Sequence, residues 1–413
     1  MTRAHLPRSY DSRDGDPTIG GCSLATLAEE LGTPLQVLDT GDVDARARGY
    51  VTALDALARP ARAVFATKAL PLVSIVRRVA AHRIGADVTT AGELAVAVAA
   101  QVPTADVVHH GNARSTAELA EAVAAGAGLV VLDGPQDIEH LDAVADRPVD
   151  VLVRITPGVP PATHVSMATA HHGQKFGVTI DEAPAVFRAV EASAHLRLRG
   201  IHFHVGSQIT ALDPFVDAVR RVGALSGFEV LDAGGGLGVP LVEDMDVPTT
   251  EAYVHALDAA MDAAGFAPGT VLIVEPGRSL VARAMVTLYR VRTVKTTAGR
   301  TFVAVDGGTS DDIEAVTGLR APAPLALATG PTRPQTLVGL HCDSGDVLAR
   351  DVALPDLAPG DLVAMAGTGA YTFSLASNYN ATPRPAVVEV ADGEARVVVR
   401  RETVADLLAR QTF

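Results

Sequence analysis

Lys68 is the residue from which a chemistry can be built. It closes a short apolar run, Ala63-Val64-Phe65-Ala66-Thr67-Lys68, that reads as a buried strand. Desolvating an ammonium is expensive, and burial lowers its pKa toward the neutral amine. A neutral lysine amine in a dry pocket forms a Schiff base with a carbonyl. A lone lysine at a strand end more often just reaches into water, so the case rests on its company. Asp87, Arg154, His202, His204, Gly206 and Ser207 lie in or just after other strand-like runs. So do Gly234-Gly235-Gly236 and Glu275-Pro276-Gly277-Arg278. Each alone has an ordinary structural use. Placed together at one rim, they are hard to explain by packing.

The glycine loop Gly234-Gly235-Gly236-Leu237-Gly238 offers backbone N–H groups that can hold a phosphate. It lacks the lysine of a P-loop and the spacing of a dinucleotide site. A phosphate on a small cofactor therefore fits better than ATP or NAD. Lysine plus phosphate cradle suggests pyridoxal 5'-phosphate. Glu275 then suits the pyridine nitrogen, because a carboxylate beside it favours the protonated, electron-withdrawing ring.

These residues need elements to position them. From Pro34–Asp39 onward the chain alternates strand-like and helical segments. Strand-like runs are expected at Ala63–Ala66, Ala86–Thr89, Val107–His110, Leu129–Leu132, Val149–Ile155, Leu198–Val205, Glu229–Ala233 and Val271–Val274. Between them lie helical segments such as Thr116–Ala125 and Pro214–Ser226. Eight such beats favour a (β/α)8 barrel over a doubly wound open sheet, and a barrel carries its site at the C-terminal strand ends. After Arg278 the pattern changes to short strand-like runs punctuated by Gly and Pro, which predicts a second, mostly β domain. The early strand near Val37 is a candidate member of it. The expected division is 41–280 for the barrel, with 1–40 and 281–413 together forming the β domain. Thr317–Pro334, rich in proline, reads as an irregular loop.

Composition bounds the rest. The 413 residues are 48% hydrophobic and 20% charged, which is globular rather than disordered. A net charge of −14 argues against nucleic acid or an anionic membrane as partner. Two cysteines, Cys22 and Cys342, imply no disulfide framework and fit a reducing cytoplasm. Met1 to Asp16 has no apolar core of a signal peptide, and no run reads as a transmembrane helix.

With these residues in hand, the chain resembles the fold-type III pyridoxal-phosphate decarboxylases, and within them the bacterial diaminopimelate decarboxylases. The resemblance spans nearly the whole chain. It rests on Phe65-Ala66-Thr67-Lys68-Ala69, Gly85-Ala86-Asp87-Val88, Gln174-Lys175-Phe176-Gly177, His202-Phe203-His204-Val205-Gly206-Ser207-Gln208 and the glycine loop. It continues through Glu275-Pro276-Gly277-Arg278, Cys342-Asp343-Ser344-Gly345-Asp346 and Gly369-Ala370-Tyr371 to Asn378-Tyr379-Asn380. The resemblance implies that Lys68 carries the cofactor and that His204 stacks on its ring. It implies that Asp87 belongs to the cofactor site and that Ser207, Gly234, Gly235, Gly236 and Tyr371 hold the phosphate. Glu275 would pair with the pyridine nitrogen, and Arg278 would contact phosphate or substrate carboxylate. Cys342 and Asp343 would enter the partner subunit's site, so the working unit would be a homodimer with shared active sites. Catalysis would fall to Lys68, Cys342, His204 and Glu275, and the substrate would be a small amino acid met by Arg278, Asp343 and Tyr371.

One stretch departs from the family pattern. Diaminopimelate decarboxylases usually carry Arg-Pro-x-Leu-Tyr, whose arginine and tyrosine grip the distal carboxylate. Here Glu314 falls at the arginine position and Gly318 at the tyrosine position. The usual Cys-Glu-Ser is also Cys342-Asp343-Ser344. A charge reversal at a carboxylate site repels what arginine attracted. The expectation is a lysine- or ornithine-like substrate with a distal ammonium, giving a diamine and CO2, with Glu314 binding that ammonium. The alternatives are meso-diaminopimelate giving L-lysine, with Arg320 or another cation replacing the grip after a local loop shift, or a natural-product intermediate. An amino-acid racemase and a non-catalytic cofactor binder share the lysine and the phosphate loop. The Cys342-Asp343-Ser344 signature argues against both.

Overall fold

The computed structural model describes residues 4–12, 15–159, 175–225 and 227–412. Met1, Gln174 and Ser226, named above, lie outside the described residues. The chain divides into two compact units. One comprises Asp44–Gly238 and Val247–Leu280, and the other Met1–Val43, Val239–Asp246 and Val281–Phe413. After a short antiparallel pair, Thr18–Ile19 with Cys22–Ser23, come a helix, Leu24–Leu31, and strand β1 (Leu35–Asp39). Then come β2 (Ala61–Ala66), β3 (Gly85–Val88), β4 (Val107–His109), β5 (Leu129–Leu132), β6 (Val149–Thr156), β7 (Leu196–His202), β8 (Val230–Asp232) and β9 (Val271–Val274).

Strands β2 to β9 are parallel, each paired with the next, and β9 pairs back onto β2. The ring is therefore closed, as eight strand–helix beats require. Strands covered on both faces lose the alternation of a half-buried strand, and all four residues of β5, Leu-Val-Val-Leu, are buried. Val64, Val108, Leu129, Val131, Leu152, Val230 and Ile273 form one buried cluster. Residues from six strands of a ring meet only inside it, so this cluster plugs the barrel and leaves the chemistry to one mouth.

The outer helices start and stop where local chemistry dictates. Thr116–Ala125 opens on a capping box: Ser115 Oγ accepts from Glu118 N at 3.2 Å, and Glu118 accepts from Ser115 N at 2.9 Å. It closes at Gly126, whose left-handed φ of 79° suits glycine. The helix Asp213–Val222 buries Phe215, Ala218, Val219 and Val222, an i, i+3, i+4, i+7 spacing that makes one apolar face. Phe215 meets Tyr253 of helix Thr250–Ala263 edge to face, 4.8 Å between centroids. Truncating so buried a ring, as in Phe215→Ala, costs about 3–5 kcal/mol.

The second unit is built on β1 and on strands β10 (Met285–Thr297), β11 (Arg300–Val305), β12 (Pro324–Ala326), β13 (Thr332–Val338), β14 (Val347–Pro355), β15 (Leu362–Ala366), β16 (Ala386–Ala391) and β17 (Glu394–Val399). Their order is β14-β13-β11-β10-β1-β16-β17, with β15 also on β10 and β12 on β15. The strand from the beginning of the chain thus lies between two from its end, antiparallel to β10 and parallel to β16. The long β10 serves two cores by alternation. Val286 and Leu288 pack with Leu35, Val37, Val388 and Val390, whereas Tyr289 and Val291 pack with Val303, Leu337, Leu348 and Met365.

The expected irregular loop Thr317–Pro334 is partly ordered as strand. It contains β12 and the start of β13. Proline is tolerated there because β11 pairs with β13 only from Thr336 onward, leaving Pro334 paired with β14 alone.

Candidate active site

The C-terminal ends of the barrel strands gather the titratable groups. Lys68 lies in a 3-10 turn, Thr67–Ala69, directly after β2. Its Nζ is 3.6 Å from Asp87 Oδ2 on β3. The lysine side chain is 47% exposed while that of Asp87 is 2% exposed. Of the two readings of its apolar run, a buried amine or one that reaches out from the strand end, the structure has the second. The amine faces the open mouth and meets a buried carboxylate beneath it. Burial raises the Asp87 pKa, with Lys68 and His110 opposing that rise and Glu275 adding to it.

Glu275, just past β9, is the centre of the cluster and is 4% exposed. His110 Nε2 lies 2.6 Å from its Oε1, and His202 Nε2 lies 3.6 Å from its Oε2. The two imidazoles meet edge to face at 4.8 Å. His110 Nε2 is also 3.7 Å from Asp87 Oδ1, so a line of polar contacts runs from Lys68 through Asp87 and His110 to Glu275. Burial pushes the Glu275 carboxyl up, yet His110 and then His202 outweigh it and hold the group well below the usual carboxylate range. His202 itself is driven down to about 3 by burial. It is therefore a neutral imidazole beside the carboxylate. Asp232, at the end of β8, is pushed well up by burial and then by Glu275, so it takes the protonated role in this group.

His204 sits two residues beyond β7. Burial, then Lys68, holds its pKa well below the ordinary value, so the ring is neutral. Gly235 N–H donates to its Nδ1 at 3.1 Å. That bond makes Nδ1 the acceptor and leaves the proton on Nε2. The glycine loop itself departs from the sequence reading. Gly234 N–H donates to Asp232 Oδ1 at 2.9 Å, and Gly235 N–H is used by His204. Of the three, Gly236 is the one whose N–H has no partner among the described residues. The loop's other property is closeness: a Cβ on Gly235 would stand 2.1 Å from Glu275 O, and Gly234 has a φ of +64°. Beside the loop, Arg278 Nε donates to Ser207 Oγ at 3.3 Å. Arg154 lies over the Phe176 ring at 4.4 Å.

These residues fit pyridoxal phosphate. A buried ionised carboxylate suits a pyridine nitrogen, a flat neutral imidazole suits a ring face, and the amine lies at the mouth. Ser207, Arg278 and the Gly236 N–H are donors of the kind a phosphate needs. His110 Nε2, Glu275 Oε1 and His202 Nε2 are buried ion-pairing atoms without a well-directed hydrogen bond, which is a demand for a further polar group.

The barrel thus brings together Lys68, Asp87, His204, Ser207, Gly234, Gly235, Gly236, Glu275 and Arg278. The other expected residues lie in the second unit. Cys342 and Asp343 are exposed, and Asp343 Oδ1 accepts from Gly345 N at 2.8 Å. Tyr371 has a φ of 63° and its carbonyl accepts from Leu375 N at 2.8 Å. Glu314 is buried in the short helix Ile313–Val316. Arg320 is fully buried, paired with Asp312 and donating to Ala366 O at 2.9 Å. Burial opposes its charge, but Asp312 and then Glu314 outweigh burial and raise its pKa. Arg320 is committed inside the unit and does not replace the missing arginine. His110 and Asp232 were not expected in the site. The signal for both was a polar residue inside an apolar strand, which is costly unless paired.

Comparisons with known proteins agree with this chemistry. Residues 27–282 match the family described as pyridoxal-dependent decarboxylase, pyridoxal binding domain. The chain is 46% identical over 410 residues to a diaminopimelate decarboxylase of Actinosynnema pretiosum subsp. auranticum, covering 96% of this chain and 93% of that one. The structure of diaminopimelate decarboxylase from M. jannaschii in co-complex with L-lysine is similar with a TM-score of 0.93 at 29% identity, covering 98% of both chains. Lysine/ornithine decarboxylase from Vibrio vulnificus complexed with putrescine is similar with a TM-score of 0.77 at 25% identity, over 89% of this chain and 97% of that one.

Proposed function

The chain belongs to the pyridoxal-dependent decarboxylase family, and on that premise we propose that it decarboxylates meso-diaminopimelate to L-lysine. That it is a carboxy-lyase using pyridoxal phosphate follows from the family itself. The observation carrying the substrate is similarity along the whole length to proteins named diaminopimelate decarboxylase. It favours the dicarboxylic substrate over the lysine- or ornithine-like one expected from Glu314.

Pyridoxal phosphate supplies an electron-withdrawing ring that accepts the electron pair left when CO2 departs. The chain's own residues prepare for that. Lys68 presents its amine at the mouth, where it would hold the cofactor and could yield that place to the substrate amine. Glu275, kept ionised by its two histidine neighbours, holds the proton of the pyridine nitrogen. His204, neutral and flat, supports the ring without opposing its positive charge. Ser207, Arg278, the Gly236 N–H and Tyr371 bind the phosphate, and Arg278 also meets a substrate carboxylate. Cys342 and Asp343 are exposed on one chain, as residues that reach a neighbour's site must be, and Cys342 returns a proton to the carbon that lost CO2. On this reading the working unit is a homodimer with shared active sites, and the net charge of −14 argues against a nucleic-acid partner. Among the described residues no helix is long and apolar enough to cross a membrane.

A second reading has one observation behind it. Glu314 stands where the family pattern has the arginine that grips a distal carboxylate, and Arg320 does not stand in for it. A distal ammonium would answer Glu314 better. The deciding experiment offers meso-diaminopimelate and both enantiomers of lysine, ornithine and arginine to the purified protein and measures CO2. The highest kcat/KM for meso-diaminopimelate supports the first reading. Preference for a monocarboxylic diamino acid, reversed by Glu314→Arg, supports the second. Lys68→Ala should lose the visible absorption of the bound cofactor and its borohydride-trapped adduct. An adduct on another lysine would overturn the assignment of Lys68.

A further inference from the structure

The loop carrying Cys342 is exposed from Cys342 through Gly345, yet both of its ends are held by groups that no step above uses. His341, before the thiol, is buried. Its backbone N–H donates to Asp346 Oδ2 at 2.9 Å. The other oxygen of Asp346 accepts from Thr309 N at 2.7 Å and Thr309 Oγ1 at 2.9 Å. Two glycines make room for this carboxylate: a Cβ on Gly308 or Gly339 would fall 2.4 or 2.2 Å from it.

The His341 ring is fixed from both sides. Ser310 N–H donates to Nε2 at 3.3 Å, so Nε2 is an acceptor and the ring proton lies on Nδ1. Ser310 Oγ is 2.9 Å from the same nitrogen. Nδ1 is 3.2 Å from Asn380 Oδ1 and donates to it. The same Asn380 oxygen accepts from the backbone N–H of Cys342 at 3.2 Å. One amide oxygen thus ties the imidazole to the peptide that bears the thiol. Asn380 has a φ of 52°, a conformation asparagine tolerates better than most residues.

We propose that Asn380, oriented by His341 and Ser310, is a positioning residue that fixes where the Cys342 thiol is presented. This rests on the reading in which Cys342 acts during decarboxylation. Asn380 is exposed, so its replacement leaves the core intact. Three variants separate the causes. Asn380→Ala removes the acceptor and strains the backbone, Asn380→Gly removes the acceptor without the strain, and Asn380→Asp keeps an acceptor oxygen. Small misplacements of a reacting group are costly, so Ala and Gly should lower kcat roughly tenfold or more with KM little changed, and Asp should restore most of it. Amide hydrogen exchange supplies the readout independent of activity: the Cys342 amide should exchange faster in Ala and Gly than in wild type or Asp. Unchanged exchange and kcat in Asn380→Gly, beside an active wild type, would overturn the proposal. Faster exchange with unchanged kcat would also overturn it, because the tie would then not serve the thiol. A wild type that releases no CO2 from any amino acid would instead overturn the underlying reading, with exchange still testing the tie.

Discussion

His110 Nε2 and Glu275 Oε1 meet at 2.6 Å although their strands, β4 and β9, are separated by two others in the barrel ring. The contact crosses the mouth rather than following the sheet. It gives the buried carboxylate a partner that a strand neighbour does not supply. With His110→Leu, burial governs and the Glu275 carboxyl shifts toward its protonated form. Turnover should fall on the order of 10- to 100-fold while the cofactor stays attached through Lys68. Glu275→Gln should act in the same direction. The double variant should cost little more than Glu275→Gln alone, because both act through one group. Additive losses in a four-protein kcat cycle would contradict the coupling.

Sharing of sites between subunits is checked by mixing. Lys68→Ala and Cys342→Ala should each be inactive alone. After exchange in equal amounts, half of the dimers are mixed and each has one intact site. Activity should therefore return to about a quarter of wild type. No recovery after demonstrated subunit exchange would place Cys342 in its own chain's site.

Arg320 and Asp312 are both fully buried and paired. Arg320→Met leaves the Asp312 charge buried without its partner and should cost about 3–5 kcal/mol in urea unfolding. Asp312→Asn in the same protein should recover much of that loss. Independent, additive effects of the two changes would show that the pair is not the source.

Asp311 gives the second unit a pH signature. Burial raises its pKa to about 7, against hydrogen bonds from Tyr289 OH at 2.5 Å, Gly308 N at 3.0 Å and Ser310 Oγ at 3.1 Å. An unfolded carboxyl titrates near 4, so between about pH 4 and 7 the folded chain binds more protons than the unfolded one. The contribution of Asp311 is fully present below about pH 4 and is lost as pH rises through 7. Asp311→Asn removes that dependence. Its stability relative to wild type should climb from pH 4 to 7 and then level off. Parallel stability curves for the two proteins would refute the assignment.

What was legible in the sequence follows from what is local. Each barrel strand carries its own apolar run, and eight runs separated by helical spacing state the ring. Lys68, Glu275 and Arg278 were legible because each follows such a run directly. The role of Val37 was legible only as a candidacy, since its partners β10 and β16 lie some 250 residues and more away in the chain. His110 and Asp232 escaped because their meaning is a meeting across the mouth, which no spacing along the chain encodes. The tie from Asn380 to Cys342 is hidden in the same way, joining residues that are 38 positions apart. Glu314 shows the converse. Its position against a family pattern was readable, but its buried place beside Arg320 required the structure.

The position of β1 bears on how the protein is made. All five residues of Leu35–Asp39 are buried between β10 and β16, yet they leave the ribosome long before either neighbour exists. At about 5–20 residues per second, the wait for Met285 is roughly 12–50 s, and for Ala386 longer still. During that time a short apolar strand has two open edges and no native partner. The barrel can complete itself meanwhile, because each of its strands pairs within the stretch already synthesised. Nascent chains should therefore be prone to association through this segment until the last strands emerge. Holding chaperones should act on them late in translation, after the barrel has formed.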